Sequence, residues 1–365
     1  MDRFIANVIR VFVPSKQKRK VREYFGMNKL SPLRPAAQFF LPKVLPAELH
    51  NAVVFECSGG LTDQIRTICF ARFFYENWQG EKPQIVLNLD KIFGSDKIGS
   101  IPLPICNPAL QGLLSSQKRT YDASGKRLKS TGFELAGYKF DWSWVTGFVT
   151  LSRRKVALYE LFGRHYRLYG TRIFTDAAYR RKISAPIYIH SYPDFELFES
   201  PSAAKFLKSM NVTLNGLNFA KLDEIKKTNR SVCVHIRRGD YIAYKKGKTL
   251  SSNYFKKAVT SIISQTGWEE VTLFVFSDDW DWACQAITFR IPDVRLKVDF
   301  VRLNDISEPI PELELMRACK HFVISAGNFA RMAAEMADNK DKIMIKPSKS
   351  DFVKEQKNNQ NEKIV

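Results

Sequence analysis

Along the chain, short and mostly apolar runs alternate with longer stretches in which apolar residues return every three or four positions. The runs at 52–57, 84–89, 187–189, 232–236, 271–276, 322–325 and 343–345 have the length and continuity of strands buried on both faces. Between them, the stretch 62–78 with its leading Leu61 holds Ile65, Ile68, Arg72 and Phe73 at rough helical spacing, and 254–263, 281–289, 312–319 and 328–337 read as further helices. An aromatic-rich middle, 142–169, is also expected to be helical. Strands alternating with helices predict parallel sheets covered on both faces, which is an α/β fold.

Length adds a division. A chain of 365 residues, 45% apolar and 13% aromatic, exceeds what one core usually supports. Two α/β domains are expected, over 49–198 and 199–347, facing one another across a cleft. A basic, proline-broken segment, 1–48, precedes them, and a tail, 348–365, rich in Lys, Gln, Asn and Glu, is too polar to bury and is expected to be disordered.

Charge narrows the partners. The net charge is +20, with clusters at Lys16, Lys18, Arg19, Lys20 and Arg22, at Arg153 to Lys155 and at Arg180 to Lys182. Nucleic acid, an anionic membrane surface and a phosphorylated substrate all suit such a surface. Ile5, Val8, Ile9 and Phe12 at helical spacing, followed by the first cluster, suit a helix lying on anionic lipid, or equally a solvated terminus. No run approaches the roughly 18 apolar residues of a membrane span, and the first residues lack the pattern of a secretory signal. The six cysteines, Cys57, Cys69, Cys106, Cys233, Cys284 and Cys319, stand mostly in apolar settings without Cys-x-x-Cys spacing, which predicts reduced core residues and no zinc site. A cytoplasmic protein, with possible attachment to the inner membrane face, is the expectation.

Candidate chemistry concentrates at 231–242, Ser-Val-Cys-Val-His-Ile-Arg-Arg-Gly-Asp-Tyr-Ile. Strand alternation puts His235 and Arg237 on one face and Val234 and Ile236 on the other. Arginine stays charged and its planar fork fits phosphate oxygens, so Arg237 and Arg238 at a strand end suit a diphosphate better than a metal. Gly239 allows close approach of a ligand, and Asp240 can orient or deprotonate a hydroxyl. A surface turn with solvated charges would carry the same four letters Arg-Arg-Gly-Asp.

Three further strings follow strands. Gly59 and Gly60 form a turn before the first helix, where backbone amides can meet a diphosphate or an acceptor. Ser277-Asp278-Asp279-Trp280-Asp281-Trp282 contains Asp279-x-Asp281, formally a Mg²⁺ or Mn²⁺ chelator, and Ser277 or Asp278 can equally cap a helix. The segment from Glu312 to His321 leads through the strand at 322–325 into Ser325-Ala326-Gly327-Asn328, whose small residues open a helix with free N–H groups aimed at phosphate. Hydrolase elbows, zinc-protease motifs and phosphate-loop strings do not occur.

These four blocks, taken in their order along the chain, resemble the α-1,2-fucosyltransferase family and, more loosely, α-1,6-fucosyltransferases. Gly59-Gly60-Leu61-Thr62-Asp63-Gln64 is similar to the family's Gly-Gly-Leu-Gly-Asn-Gln, departing at Thr62 and Asp63. Glu312 stands at the family's Asp position, and the stretch after Asn328 lacks the tryptophans of α-1,2 enzymes, its Phe329-x-Arg331 with Glu335 being closer to α-1,6 relatives. The resemblance implies a GT-B type glycosyltransferase of two Rossmann-like domains, inverting and metal-independent, with GDP-L-fucose as donor and a glycan as acceptor, in α-1,2 linkage. It implies that Arg237 stabilises the departing GDP, that Arg238 assists or pairs with Asp240, that His235 and Glu312 read guanine, and that Ser325, Gly327 and Asn328 hold the diphosphate beside Ser277 and Asp278. Asp240 is the first candidate for the base, with Glu56 and Asp63 as alternatives. The charge fits an acceptor linked to a lipid diphosphate in bacterial surface polysaccharide or O-antigen synthesis. Another linkage or GDP-sugar, and in a different class a basic nucleic-acid-binding protein, remain open, and the sequence is silent on oligomeric state.

Overall fold

The computed structural model describes residues 41, 45, 47–78, 80–90, 101–102, 138–141, 143–149, 151, 153–162, 165–169, 185–239, 242, 248–304 and 309–354. Asp240, Cys106 and the basic segment before residue 41 lie outside the described residues. The described chain divides into two compact units, one ending at Met210 and the other beginning at Asn211.

In the first unit, β1 (Ala52–Glu56) leads through the turn at Gly59 and Gly60 into α1 (Leu61–Glu76). There follow β2 (Gln84–Asn88), β3 (Ile101–Pro102), β4 (Gly147–Val149), α2 (Arg153–Leu161), β5 (His165–Tyr169), β6 (Ile187–Tyr192) and α3 (Pro201–Ser209). The six strands stand in the order β3-β4-β2-β1-β6-β5, and all pairs are parallel except β3 with β4. Every residue of β1 is buried, as a strand covered on both faces demands. Ala52 and Val54 pack with Leu49, Val86, Tyr159 and Tyr188 on one side. On the other, the Phe55 ring meets those of Phe70 and Phe74 of α1 edge-on, each at 5.6 Å between centroids.

The second unit is built from α4 (Gly216–Lys227), β7 (Ser231–Ile236), β8 (Lys248–Leu250), α5 (Ser252–Thr266), β9 (Glu270–Ser277), α6 (Trp280–Ala286), β10 (Arg295–Phe300), α7 (Pro309–Arg317), β11 (His321–Val323), α8 (Phe329–Met336), β12 (Met344–Ile345) and β13 (Phe352–Lys354). Its main sheet runs β10-β9-β7-β11-β12, parallel throughout. Counted along the chain this is strand order 3-2-1-4-5, the doubly wound pattern, whose direction of winding reverses between β7 and β11. Val232, Val234 and Ile236 enter one core with Tyr254, Phe255, Ala258, Val259 and Ile262 of α5, so that His235 falls on the opposite face of β7. Both units are therefore α/β, as the alternation of runs predicts.

Two expectations are corrected. The stretch 142–169 is not one helical region: β4, α2 and β5 divide it, and the burial of Phe148 and Tyr159 on separate elements accounts for its aromatic density. The polar stretch 348–365 is not structureless up to Lys354: a 3-10 turn at Lys349–Asp351 leads into β13, which pairs antiparallel with β8, and Phe352 packs on the second unit's core. A single apolar anchor among polar neighbours is invisible to composition.

Candidate functional site

In a doubly wound sheet, the loops leaving adjacent strands on either side of the reversal diverge and leave a crevice at their carboxyl ends. Here those loops are Arg237 to Gly239 after β7 and Ile324 to Asn328 after β11. The two are joined at their base, where Ser325 Oγ lies 2.8 Å from His235 Nδ1. Burial, reinforced by the charge of Arg237, pushes the His235 imidazole down to about 3, so it is neutral at any working pH. Its ring stands 5.9 Å from that of Phe329, the first residue of α8.

Gly327 has φ +94, a conformation that side-chain-bearing residues rarely adopt, and a Cβ built on it would come within 3.9 Å of Arg237 Cδ. Arg237 thus reaches the start of α8, where Asn328 is the N-cap residue and makes no side-chain cap bond. Helix N–H groups and a guanidinium facing one loop favour an anion there. Glu312, in the first turn of α7, is within electrostatic reach of both Arg237 and Asp278. Burial first, and Asp278 second, push its carboxyl up to about 8 against the opposing pull of Arg237. Its proton can therefore leave when a ligand supplies compensating hydrogen bonds.

The remaining residues of this loop cluster fix its shape. Asp278 Oδ1 accepts from the backbone N–H groups of Arg238 at 2.7 Å and Gly239 at 3.2 Å. A Cβ on Gly239 would press on Asp278 at 3.0 Å. The Arg238 side chain is buried: Nε donates to Asp279 Oδ2 at 2.9 Å, one terminal nitrogen donates to Thr249 of β8 at 3.1 Å, and the guanidinium lies over the Trp282 ring at 4.2 Å. Ser277 Oγ closes the same turn, accepting from Asp279 N at 2.9 Å. Asp279 also caps α6 through Trp282 N. Asp279 of the Asp279-x-Asp281 string is thus occupied by capping and by Arg238. Among the described residues no cluster of three His, Cys, Asp or Glu side chains could hold a metal ion, and no helix is long and apolar enough to cross a membrane.

Gly59 and Gly60 belong to the first unit. Gly59 has φ +80, and a Cβ on it would collide with the Asp63 carboxylate, which is itself tied to Arg66 and to Gly60 N. Asp63 is thereby committed to the turn. Glu56, at the end of β1, lies elsewhere: Oε2 accepts from Tyr188 Oη at 2.7 Å and Oε1 lies 2.8 Å from His190 Nδ1.

Residues 157–364, more than half of the chain and all of the second unit's main sheet, match the family described as glycosyl transferase family 11. The chain belongs to that family. An *Escherichia coli* relative, the O-antigen biosynthesis glycosyltransferase WbnK, is 31% identical over 120 residues, which are 32% of this chain and 37% of the relative. The chain thus matches well under half the length of that curated relative. Among solved structures, the NodZ α-1,6-fucosyltransferase soaked with GDP-fucose has 10% identity and a TM-score of 0.44, covering 84% of this chain and 99% of that one. *Arabidopsis thaliana* FUT1 in complex with GDP has 12% identity and a TM-score of 0.42, covering 94% and 83%.

The structure of this family 11 member brings together His235, Arg237, Arg238, Ser277, Asp278, Glu312, Ser325, Gly327 and Asn328 around one crevice. It assigns Arg238, Ser277 and Asp278 to holding the loop in shape. His190, Tyr188 and Asn88 escaped sequence reading altogether. The signal for Tyr188 and His190 was the polar letters of the β6 run, Ile187–Tyr192, whereas Asn88 closes the largely apolar run of β2.

Proposed function

We propose that the chain is an inverting fucosyltransferase that moves L-fucose from GDP-L-fucose to a hydroxyl of a glycan acceptor. The observation that carries this reading is Arg237 beside the positive-φ turn of Gly327 at the crevice between β7 and β11, in a member of a glycosyl transferase family. Transfer makes a bond from the acceptor oxygen to the anomeric carbon and breaks the bond to the diphosphate, whose oxygens take up the electron pair. Arg237 stabilises that charge, the role in which a fixed donor typically contributes about 10²–10³-fold in rate. Asn328 and the N–H groups of α8 hold the diphosphate with Ser325 and Gly327. His235 and the ionised form of Glu312 read guanine, whose N1–H and N2–H a carboxylate accepts together.

In this reading the second unit carries the donor and the first unit the acceptor, in the GT-B manner, with no metal. The *E. coli* relative's role in O-antigen biosynthesis supports a bacterial surface polysaccharide as acceptor. The α-1,2 linkage rests on the sequence resemblance, as does GDP-L-fucose itself. A lipid-diphosphate-linked acceptor and action at the cytoplasmic membrane face accord with the net charge of +20; loss of vesicle flotation on deleting residues 1–22 is the result they require.

The deciding experiment is a thermal-shift screen of the full chain against GDP, UDP and CDP sugars, with and without EDTA, followed by linkage analysis of the product. Selective stabilisation by GDP-fucose, unaffected by EDTA and lost from transfer in Arg237→Ala, supports the reading. Preference for a UDP sugar with metal, or salt-sensitive nucleic-acid binding without GDP binding, overturns it.

A further inference from the structure

Among the described residues three large apolar side chains stand exposed, and two of them, Leu217 at 74% and Phe219 at 62%, sit together at the start of α4. Single exposed apolar residues are ordinary and need no explanation. These two lie in a particular setting. From Ser209 to Ala220 the chain carries no charge, and the stretch also holds Met210, Val212 and Leu214. The turn stands clear of the body where the helix begins: Gly216 has φ +47, and a Cβ built on it would meet nothing within 4 Å.

The other side of α4 is anchored. Ile225 is buried, Asn218 donates to Asn304 at 2.8 Å, and Lys221 donates to Asp299 of β10 at 2.9 Å. These contacts fix the helix on its own unit and leave Leu217 and Phe219 outward. Charge completes the pattern. Between Pro201 and Lys227 five lysines, Lys205, Lys208, Lys221, Lys226 and Lys227, stand against two acids, Asp223 and Glu224. Both acids are already engaged, Asp223 by Lys227 and Glu224 by Lys221, each at 2.6 Å. Phe219 and Lys226, seven positions apart, share one face of the helix. Apolar tips flanked by lysines suit a lipid interface, where the tips enter the acyl boundary and the ammonium groups stay level with the headgroups.

A protein partner fits less well. Two side chains offer at most a few hundred Å² of apolar surface, well under the roughly 800 Å² per partner of a stable protein interface. A bilayer needs no matching shape, and the net charge of +20 favours an anionic one.

We propose that the turn at 209–220 is a membrane-contact surface, with Leu217 and Phe219 entering the interface of a bilayer that contains anionic phospholipid. The inference rests on the membrane-face part of the reading above and adds a second point of contact to it. One weak anchor holds a protein only marginally, and stable attachment takes two signals. The basic residues within 1–22 attract the chain to the surface, and the apolar turn buries side chains once it arrives.

The test uses the full chain and vesicles of phosphatidylcholine with and without phosphatidylglycerol, and a GDP thermal shift on every sample. Wild type is expected to float with the phosphatidylglycerol vesicles. The double variant Leu217→Ser, Phe219→Ser is expected to bind them at least about tenfold more weakly, a smaller loss than full burial of both side chains would give, with its GDP shift unchanged. Phe219→Trp, which adds one tryptophan to the chain's six, should bind as wild type does and show added emission that acyl-brominated lipids quench. A double variant within about threefold of wild type, no added quenching in Phe219→Trp, or equal binding to vesicles of phosphatidylcholine alone overturns the proposal. So does a concentration-dependent dimer in light scattering that the double variant abolishes, because the patch is then a contact between copies. Wild type that floats as expected but shows no GDP shift strikes the fucosyl-transfer reading and leaves the membrane contact supported.

Discussion

Ser325 Oγ and His235 Nδ1, 2.8 Å apart, tie the carboxyl end of β11 to that of β7 across the point where the sheet reverses its winding. Both residues are buried, so neither partner has water to replace the other. Ser325→Ala is expected to cost about 1–3 kcal/mol in chemical denaturation, the usual penalty for stranding a buried polar atom, and to weaken GDP binding in calorimetry. An unchanged midpoint would show that the bond carries no stability.

The same histidine gives an acid limb to stability. Its folded pKa of about 3 lies below the ordinary 6.5, so the stabilisation is present above 6.5 and lost as pH falls toward 3. Denaturation midpoints are expected to decline over that window, and less steeply in His235→Asn than in wild type. Parallel declines would remove His235 as the cause.

Glu312 works in the opposite sense. Its folded pKa of about 8 stands above the ordinary 4.5, so the stability it confers is full below 4.5 and lost as pH rises through 8. Glu312→Gln should therefore resist alkaline pH better than wild type. In the proposed function guanine binds the carboxylate form, so GDP affinity of wild type should strengthen from neutral pH through about 8, whereas that of Glu312→Gln stays flat. Calorimetric titration at several pH values checks both.

Arg237 and Arg238 are neighbours with different work, and lysine substitution separates them. Arg238 uses its fork on Asp279 and Thr249 and its flat face on Trp282, a set of contacts no ammonium reproduces. Arg238→Lys is expected to lose roughly 1–3 kcal/mol of stability, the scale of a broken hydrogen bond to a charged group. Arg237→Lys should keep the stability and lose transfer. A variant of Arg238 as stable as wild type would contradict the division.

At Gly327 the backbone itself is the constraint. With φ +94 and Arg237 Cδ at van der Waals distance, Gly327→Ala meets no hard clash but carries conformational strain of about 1–2 kcal/mol. A lowered melting temperature together with a weaker GDP titration is the expected pair of results.

The sequence made the second unit's sheet legible because β7 and β9 are nearly uninterrupted apolar runs whose neighbours bury them on both faces. β10 escaped notice for the converse reason. It is an edge strand in which Arg295, Lys297 and Asp299 alternate with apolar residues and much of its length stays partly exposed. Candidate site residues were legible where they followed a strand within a few positions, as Arg237 does after β7 and Ser325 after β11. The Glu56–His190 pair was not, because its members meet through the parallel pairing of β1 with β6, and no local spacing encodes a pairing between distant segments. The role of Arg238 was hidden for a related reason. Its partners Thr249 and Asp279 lie on different elements, so the sequence marks its charge but not its burial.

The two-stranded ribbon of β8 and β13 carries a practical consequence. Val353 stands opposite Thr249, whose hydroxyl receives Arg238, whose guanidinium in turn holds Asp279. Residues beside the chain's far end are thus coupled to the loop that bears Arg237. Trimming the chain before Phe352, or fusing a bulky tag against β13, would loosen that loop from a distance, and expression designs should leave that ribbon intact.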